Sequence, residues 1–138
     1  MVKNILVGVF CTMLFAFKVH AAQLRVNISN ISSNEGMILC SVYTSPDNFL
    51  GKGVMQRQED ADSSGGVICM FDKLELGSYA VAVLHDENTN GKNYRNYFGM
   101  PTEDWGVSNN IRPTMRAPTF EEARFQIYDS ITIEIRVD

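Results

Sequence analysis

The sequence predicts an all-β fold, a single antiparallel β-sandwich of about six to eight strands with one long loop after its central strand. Three observations predict it. Short segments alternate apolar and polar residues with a period of two, turn-forming residues punctuate them at short intervals, and no stretch sustains the spacing of an amphipathic helix.

Gln23 to Ile28 opens the pattern, with Leu24, Val26 and Ile28 on one face and Gln23, Arg25 and Asn27 on the other, as in a half-buried strand. Gly36 to Thr44 is the second strand, its Ile38, Cys40 and Val42 opposed to Met37, Leu39, Ser41 and Tyr43. Ser45, Pro46, Asp47 and Asn48 end it, residues that favour tight turns. From Phe49 to Ser64 the alternation is weak and residues 56–62 are mostly polar, which reads as a loop or a short edge strand. Gly65 and Gly66 lead into Val67 to Phe71, where Val67, Cys69 and Phe71 share a face. A turn at Leu76, Gly77 and Ser78 precedes Tyr79 to Asp86, a nearly unbroken apolar run suited to the centre of a sheet. The chain is then irregular from Glu87 to Pro118 and rich in Asn, Gly and Pro. Loops longer than about 15 residues are uncommon unless functional or disordered. One helical turn is expected around Phe120 to Ala123, a strand in Ala123 to Tyr128, and a closing strand in Ile131 to Val137.

Residues 1–21 have the order of a Sec signal peptide: a basic start at Lys3, an apolar run from Ile5 to Phe17, and small residues at Ala21 and Ala22. The expected cut follows Ala21, with Ala22 the next choice. A retained membrane anchor needs about 20 apolar residues, and Lys18 and His20 interrupt this run too early. The expected organisation is therefore a signal peptide at 1–21 and one domain at 22–138, with no membrane span after cleavage. The full chain carries 16 acidic against 12 basic residues, a net charge of −4. Cleavage removes Lys3 and Lys18 and makes the domain more acidic. Such a surface repels phosphate backbones, so nucleic-acid binding is not expected.

Cleavage also removes Cys11 and leaves Cys40 and Cys69, an even pair that reads as one disulfide in an exported chain. If both strands face the core, a bridge between them is geometrically sensible.

The residues Phe71, Leu74, Gly77, Tyr79, Val81 and Val83 resemble the F-x-x-L-x-x-G-x-Y-x-V-x-V signature of prealbumin-like and carboxypeptidase-regulatory-like β-sandwiches. That likeness implies a fold and no activity. A longer match runs through GSYAVAVLHDENTNGK, FGMPTEDWGVSNN and APTFEEARF. Three motifs in this order resemble the bacterial exported family catalogued as domain of unknown function 2141. The resemblance implies a bacterial protein of the periplasm or secretome and names no reaction.

Asp86, Asn88, Asn90, Gly91 and Lys92 have the D-x-N-x-N-G spacing of a calcium loop. Alternate side-chain oxygens of Asp86, Asn88 and Asn90 face one point, Gly91 permits a sharp turn, and Lys92 offers its backbone carbonyl. The ninth and twelfth loop positions are Tyr94 and Tyr97, so the bidentate Glu of an EF-hand is missing. Glu87 is expected to point elsewhere on alternation, which leaves Asp86 as the one charged ligand unless Glu103 or Asp104 folds back. The competing reading is an Asn-rich turn whose amides bond the backbone.

His85 is the one histidine left after cleavage. It reads either as a general base, oriented by Asp86 or Glu103, or as a hydrogen-bonded residue that holds the long loop. One His and no free Cys do not fill a tetrahedral zinc site. Trp105, Tyr94 and Arg112 are candidate ligand-binding residues on the loop, because aromatic and guanidinium groups bury much area at low entropic cost. Phe98 and Phe120 are expected to pack instead.

The functional expectation is a non-enzymatic binding or structural module of the envelope or secretome, with a calcium-stabilised loop and a protein or glycan partner. The alternative is a small periplasmic hydrolase using His85, Asp86 and Glu103. N-terminal sequencing of the protein recovered from its host should begin at Ala22, whereas a product starting at Met1 would refute the signal peptide.

Overall fold

A computed structural model of the chain describes residues 8, 11–16, 18, 20–89 and 103–138. Among these, eight strands account for nearly all the regular structure: β1 (Ala22–Ser29), β2 (Met37–Tyr43), β3 (Met55–Asp60), β4 (Val67–Leu74), β5 (Gly77–Asp86), β6 (Trp105–Val107), β7 (Phe125–Ile127) and β8 (Ile131–Arg136). They form two sheets, one in the order β4-β1-β8 and one in the order β3-β2-β5-β6, with β7 paired to the start of β5. The arrangement is the expected all-β sandwich.

The alternation read from the sequence sets the inner faces. Leu24, Val26 and Ile28 of β1, Ile38, Cys40 and Val42 of β2, Val67, Cys69 and Phe71 of β4, and Val81 and Val83 of β5 form one buried cluster between the sheets. Each such side chain contributes about 1.5–3 kcal/mol when fully removed from water. The other face of the larger sheet is also covered. There Tyr43, Ala80, Leu84, Trp105, Val107, Phe120 and Ala123 form a second cluster, with Phe49 and Leu50 packed against it. Phe49 sits edge-on to both Tyr43 and Phe120, with ring centroids 5.3 and 6.0 Å apart. Strand β5 runs through both clusters, which is why its sequence is apolar without alternation.

The expected helical turn, α1 (Phe120–Ala123), is present and is held by a capping box: Thr119 and Glu122 each bond the other's backbone amide. Glu122 also pairs with Arg116. That guanidinium, followed by the Thr119 amide, holds the Glu122 carboxyl down to about 2.

Two features depart from expectation. Strands β1 and β8 run parallel, with Leu24 opposite Ile131 and Ile28 opposite Ile135. The chain enters β8 beside the start of β1, where the Gln23 amide donates to Ser130 Oγ at 2.9 Å, so the two strands must run the same way. The long segment after β5 is also not wholly irregular, because β6 pairs Trp105, Gly106 and Val107 with Leu84, Val83 and Ala82. Three residues are too few to reveal a period of two. Gly106 is required there, since a Cβ would collide with the Arg136 carbonyl. Beside it Trp105 and Asp138 exchange two backbone hydrogen bonds of 3.3 and 3.4 Å, which joins the edges of the two sheets.

Cys40 and Cys69 are bridged, with Cα atoms 6.7 Å apart at a sequence separation of 29. The bridge ties β2 of one sheet to β4 of the other. Reducing it should lower the unfolding free energy by roughly 3–4 kcal/mol, read as a shift in urea midpoint. A midpoint that does not move would show that the core alone fixes the two sheets.

Candidate functional site

Three backbone segments meet where β5 ends. His85 and Asp86 stand opposite Ile38 and Met37 of β2. Just before Met37, Gly36 adopts a positive φ of 74° and lies so close to β5 that a side chain would strike the Asp86 carbonyl and the Glu87 backbone. Only glycine meets both demands without strain. The close approach brings the Glu35 carbonyl to 2.7 Å from His85 Nε2. On the other side of β5, the His85 amide donates to the Asp104 carbonyl at 2.9 Å.

His85 is fully buried. Its Nε2 donates to the Glu35 carbonyl, so in the neutral ring the lone pair sits on Nδ1. That nitrogen has no hydrogen-bond partner. Glu87 Oε1 is the near carboxylate oxygen, at 3.8 Å, too far for a hydrogen bond, and it is itself held by Ser32 Oγ at 3.0 Å. One nitrogen of His85 and one oxygen each of Glu87 and Asp104 lie within 4.8 Å of one another. Glu103 is not one of these three, but its buried Oε2 also lacks a partner. Burial pushes the Glu103 carboxyl up, and repulsion from Asp86 and Glu87 adds to this against the attraction of His85. Among the described residues, His85 Nδ1 and Glu103 Oε2 are the buried side-chain polar atoms left unsatisfied.

The structure thus brings His85, Asp86 and Glu103 into one neighbourhood. Asp86 closes β5 and is 2% exposed, and Asn88 lies in the turn that follows. Both are engaged in interactions, and the Thr89 amide bonds the Asp86 carbonyl at 3.4 Å. Asn90, Lys92 and Tyr94, the rest of the expected calcium loop and one expected ligand contact, lie outside the described residues.

Trp105 and Arg112 are adjacent. Trp105 is 7% exposed within the second cluster, and the Arg112 guanidinium lies 4.3 Å from its ring centroid. Arg112 also donates to the Trp105 carbonyl and pairs with Asp138. Phe98 lies outside the described residues, while Phe120 packs as expected. The S-N-N run serves as a clip. Ser108 Oγ donates to the Ala123 carbonyl at 2.5 Å and accepts from the Val81 amide at 3.0 Å. Asn109 and Asn110 bond backbone groups of Glu122, Arg124, Glu134 and Arg136.

Sequence reasoning missed Glu87 and the Glu35 carbonyl. Strand alternation turns Glu87 away from the site, but the strand stops at Asp86 and Glu87 already belongs to a turn, so the rule does not reach it. Glu103 and Asp104 do return to the end of β5. Their only sequence signal was their place just before β6, a strand too short to recognise.

The model of a family described as "Uncharacterized protein conserved in bacteria (DUF2141)" matches residues 26–134, from within β1 to within β8. No curated protein and no solved structure matches the chain.

Replacing Gly36 by Ala should destabilise the domain by about 1–3 kcal/mol, through positive-φ strain and the clash with Asp86. Chemical denaturation checks this, and an unchanged midpoint would contradict the close approach that presents Glu35 to His85.

Proposed function

The chain belongs to the bacterial family DUF2141, and from that premise we propose that it is an exported, non-enzymatic module of the envelope or secretome that binds through the rim where β5 ends. The observation that carries this reading is the state of His85, a fully buried ring whose Nε2 holds the Glu35 carbonyl. A general base must come within hydrogen-bond reach of a substrate proton. With no ring surface exposed and Nε2 committed to backbone, His85 instead shapes the rim, its Nδ1 turned to the Glu87 carboxylate rather than to a substrate proton.

Export is supported by the leader-like order of residues 1–21, by β1 beginning at Ala22, and by the bridge between Cys40 and Cys69. Disulfides persist in oxidising compartments and are rare where thiols are kept reduced. The division is a signal peptide at 1–21 and one sandwich at 22–138, and the partner is a protein or glycan.

One observation favours a second reading, a small hydrolase. The Glu103 carboxyl is pushed up beside His85 and Asp86, as the proton donors of active sites often are. Screening the purified protein against peptide, ester and glycan panels separates the two. Binding without turnover is the expected result. Turnover that His85→Ala and Glu103→Gln abolish in parallel, with the melting temperature preserved in the Glu103 variant, would overturn the proposal.

A further inference from the structure

We propose that His85, Glu87 and Asp104 form a site for one divalent transition-metal ion of the zinc class, an inference that rests on reading this rim as a binding site. A cluster of carboxylates alone would be ordinary on an acidic protein. What distinguishes this one is a fully buried imidazole aimed into it with a nitrogen that bonds nothing.

His85 Nε2 is bound to the Glu35 carbonyl at 2.7 Å. This fixes both the tautomer and the ring orientation, the arrangement found behind metal-ligating histidines, whose second nitrogen donates to a carbonyl or carboxylate. Nδ1 is left as a directed lone pair 3.8 Å from Glu87 Oε1, in the group that Asp104 completes. Glu87 is oriented in its turn by Ser32 Oγ, and Asp104 is fixed along the chain by the hydrogen bond from the His85 amide. The carboxyl of Glu103, whose buried Oε2 also lacks a partner, feels the charges of Glu87 and His85 from outside this three-residue group. The ring nitrogen and the two carboxylates all present lone pairs to one another, and a cation is the group that engages all three at once.

The donor set decides the class of ion. Calcium takes six to eight oxygen ligands, whereas imidazole nitrogen suits zinc, copper, iron and nickel. A tetrahedral set bound at about 2.0–2.2 Å has its ligand atoms roughly 3.5 Å apart. The present spread of 4.8 Å therefore needs to draw in by about an ångström. The half-exposed Glu87 side chain has room for that. Counting only His and Cys had excluded zinc from the sequence, but here carboxylates provide the remaining ligands.

The site is also separate from the D-x-N-x-N-G oxygens. It uses the ring of His85 and the turn residue Glu87 rather than the side chains of Asp86 and Asn88.

The test uses the oxidised protein as recovered from its host and stripped with a chelator. Titration calorimetry with zinc should give one equivalent of binding, zinc should raise the melting temperature, and cobalt should produce visible ligand-field absorption. Glu87→Gln and Asp104→Asn should each weaken zinc binding by at least ~10-fold. Their metal-free melting temperatures should stay equal to the wild type or rise, because each removes a repelling charge. A silent titration with both ions would overturn the proposal, as would variants that bind like the wild type or calcium preferred over zinc. The binding-module reading fails on a different result, catalytic turnover, so the two failures are distinguishable.

Discussion

Strand β5 leaves water on both of its faces, and this removal of apolar area is what the surrounding elements serve. Val81 and Val83 face the inter-sheet core, while Ala80 and Leu84 face the outer cluster closed by Phe49, Trp105 and Phe120. A strand covered on both sides must also have its backbone paired on both edges, since a buried amide without a partner costs about 1–3 kcal/mol. β2 supplies one edge, and β6 with β7 the other. The short elements near the C-terminus are therefore consequences of β5. They exist to complete its pairing and cover its outer face, and the Ser108, Asn109 and Asn110 clip holds them in place.

The same constraint creates the site. Burial continues to the last two residues of β5, but these are His85 and Asp86 rather than apolar residues. The histidine is brought into the interior with one nitrogen satisfied by backbone and one left open. Carboxylates from Glu87 and Asp104 gather beside the ring because the chain turns immediately after β5 and returns just before β6. Position along the strand, more than local sequence, gives these groups their chemistry.

Most of the fold was legible in the sequence because period-two alternation is written directly in β1, β2, β4 and β8, and because residues 79–86 announce a strand buried on both faces. The bridge was legible for the same reason, since Cys40 and Cys69 fall on the core faces of their strands. Three things were not. β6 is only three residues long. The parallel run of β8 depends on where the chain re-enters the sheet, which no local pattern encodes. Glu87 lies one residue beyond the reach of the alternation rule. The site was half legible. His85, Asp86 and Glu103 stood out as residue types, but their convergence with Asp104 comes from pairing across a gap in sequence.

The parallel pair β1–β8 carries a consequence for the order of assembly. β1 is the middle strand of its sheet, and one of its neighbours is the last strand of the chain. The residue that opens β1, Ala22, is already 1% exposed, so even the first residue of this strand is built into the finished core. β1 therefore waits for β8, the strand that follows all the other described ones, before its sheet can close. Such a topology has high contact order and folds slowly. Until β8 arrives, one edge of β1 has no partner and the smaller sheet cannot close.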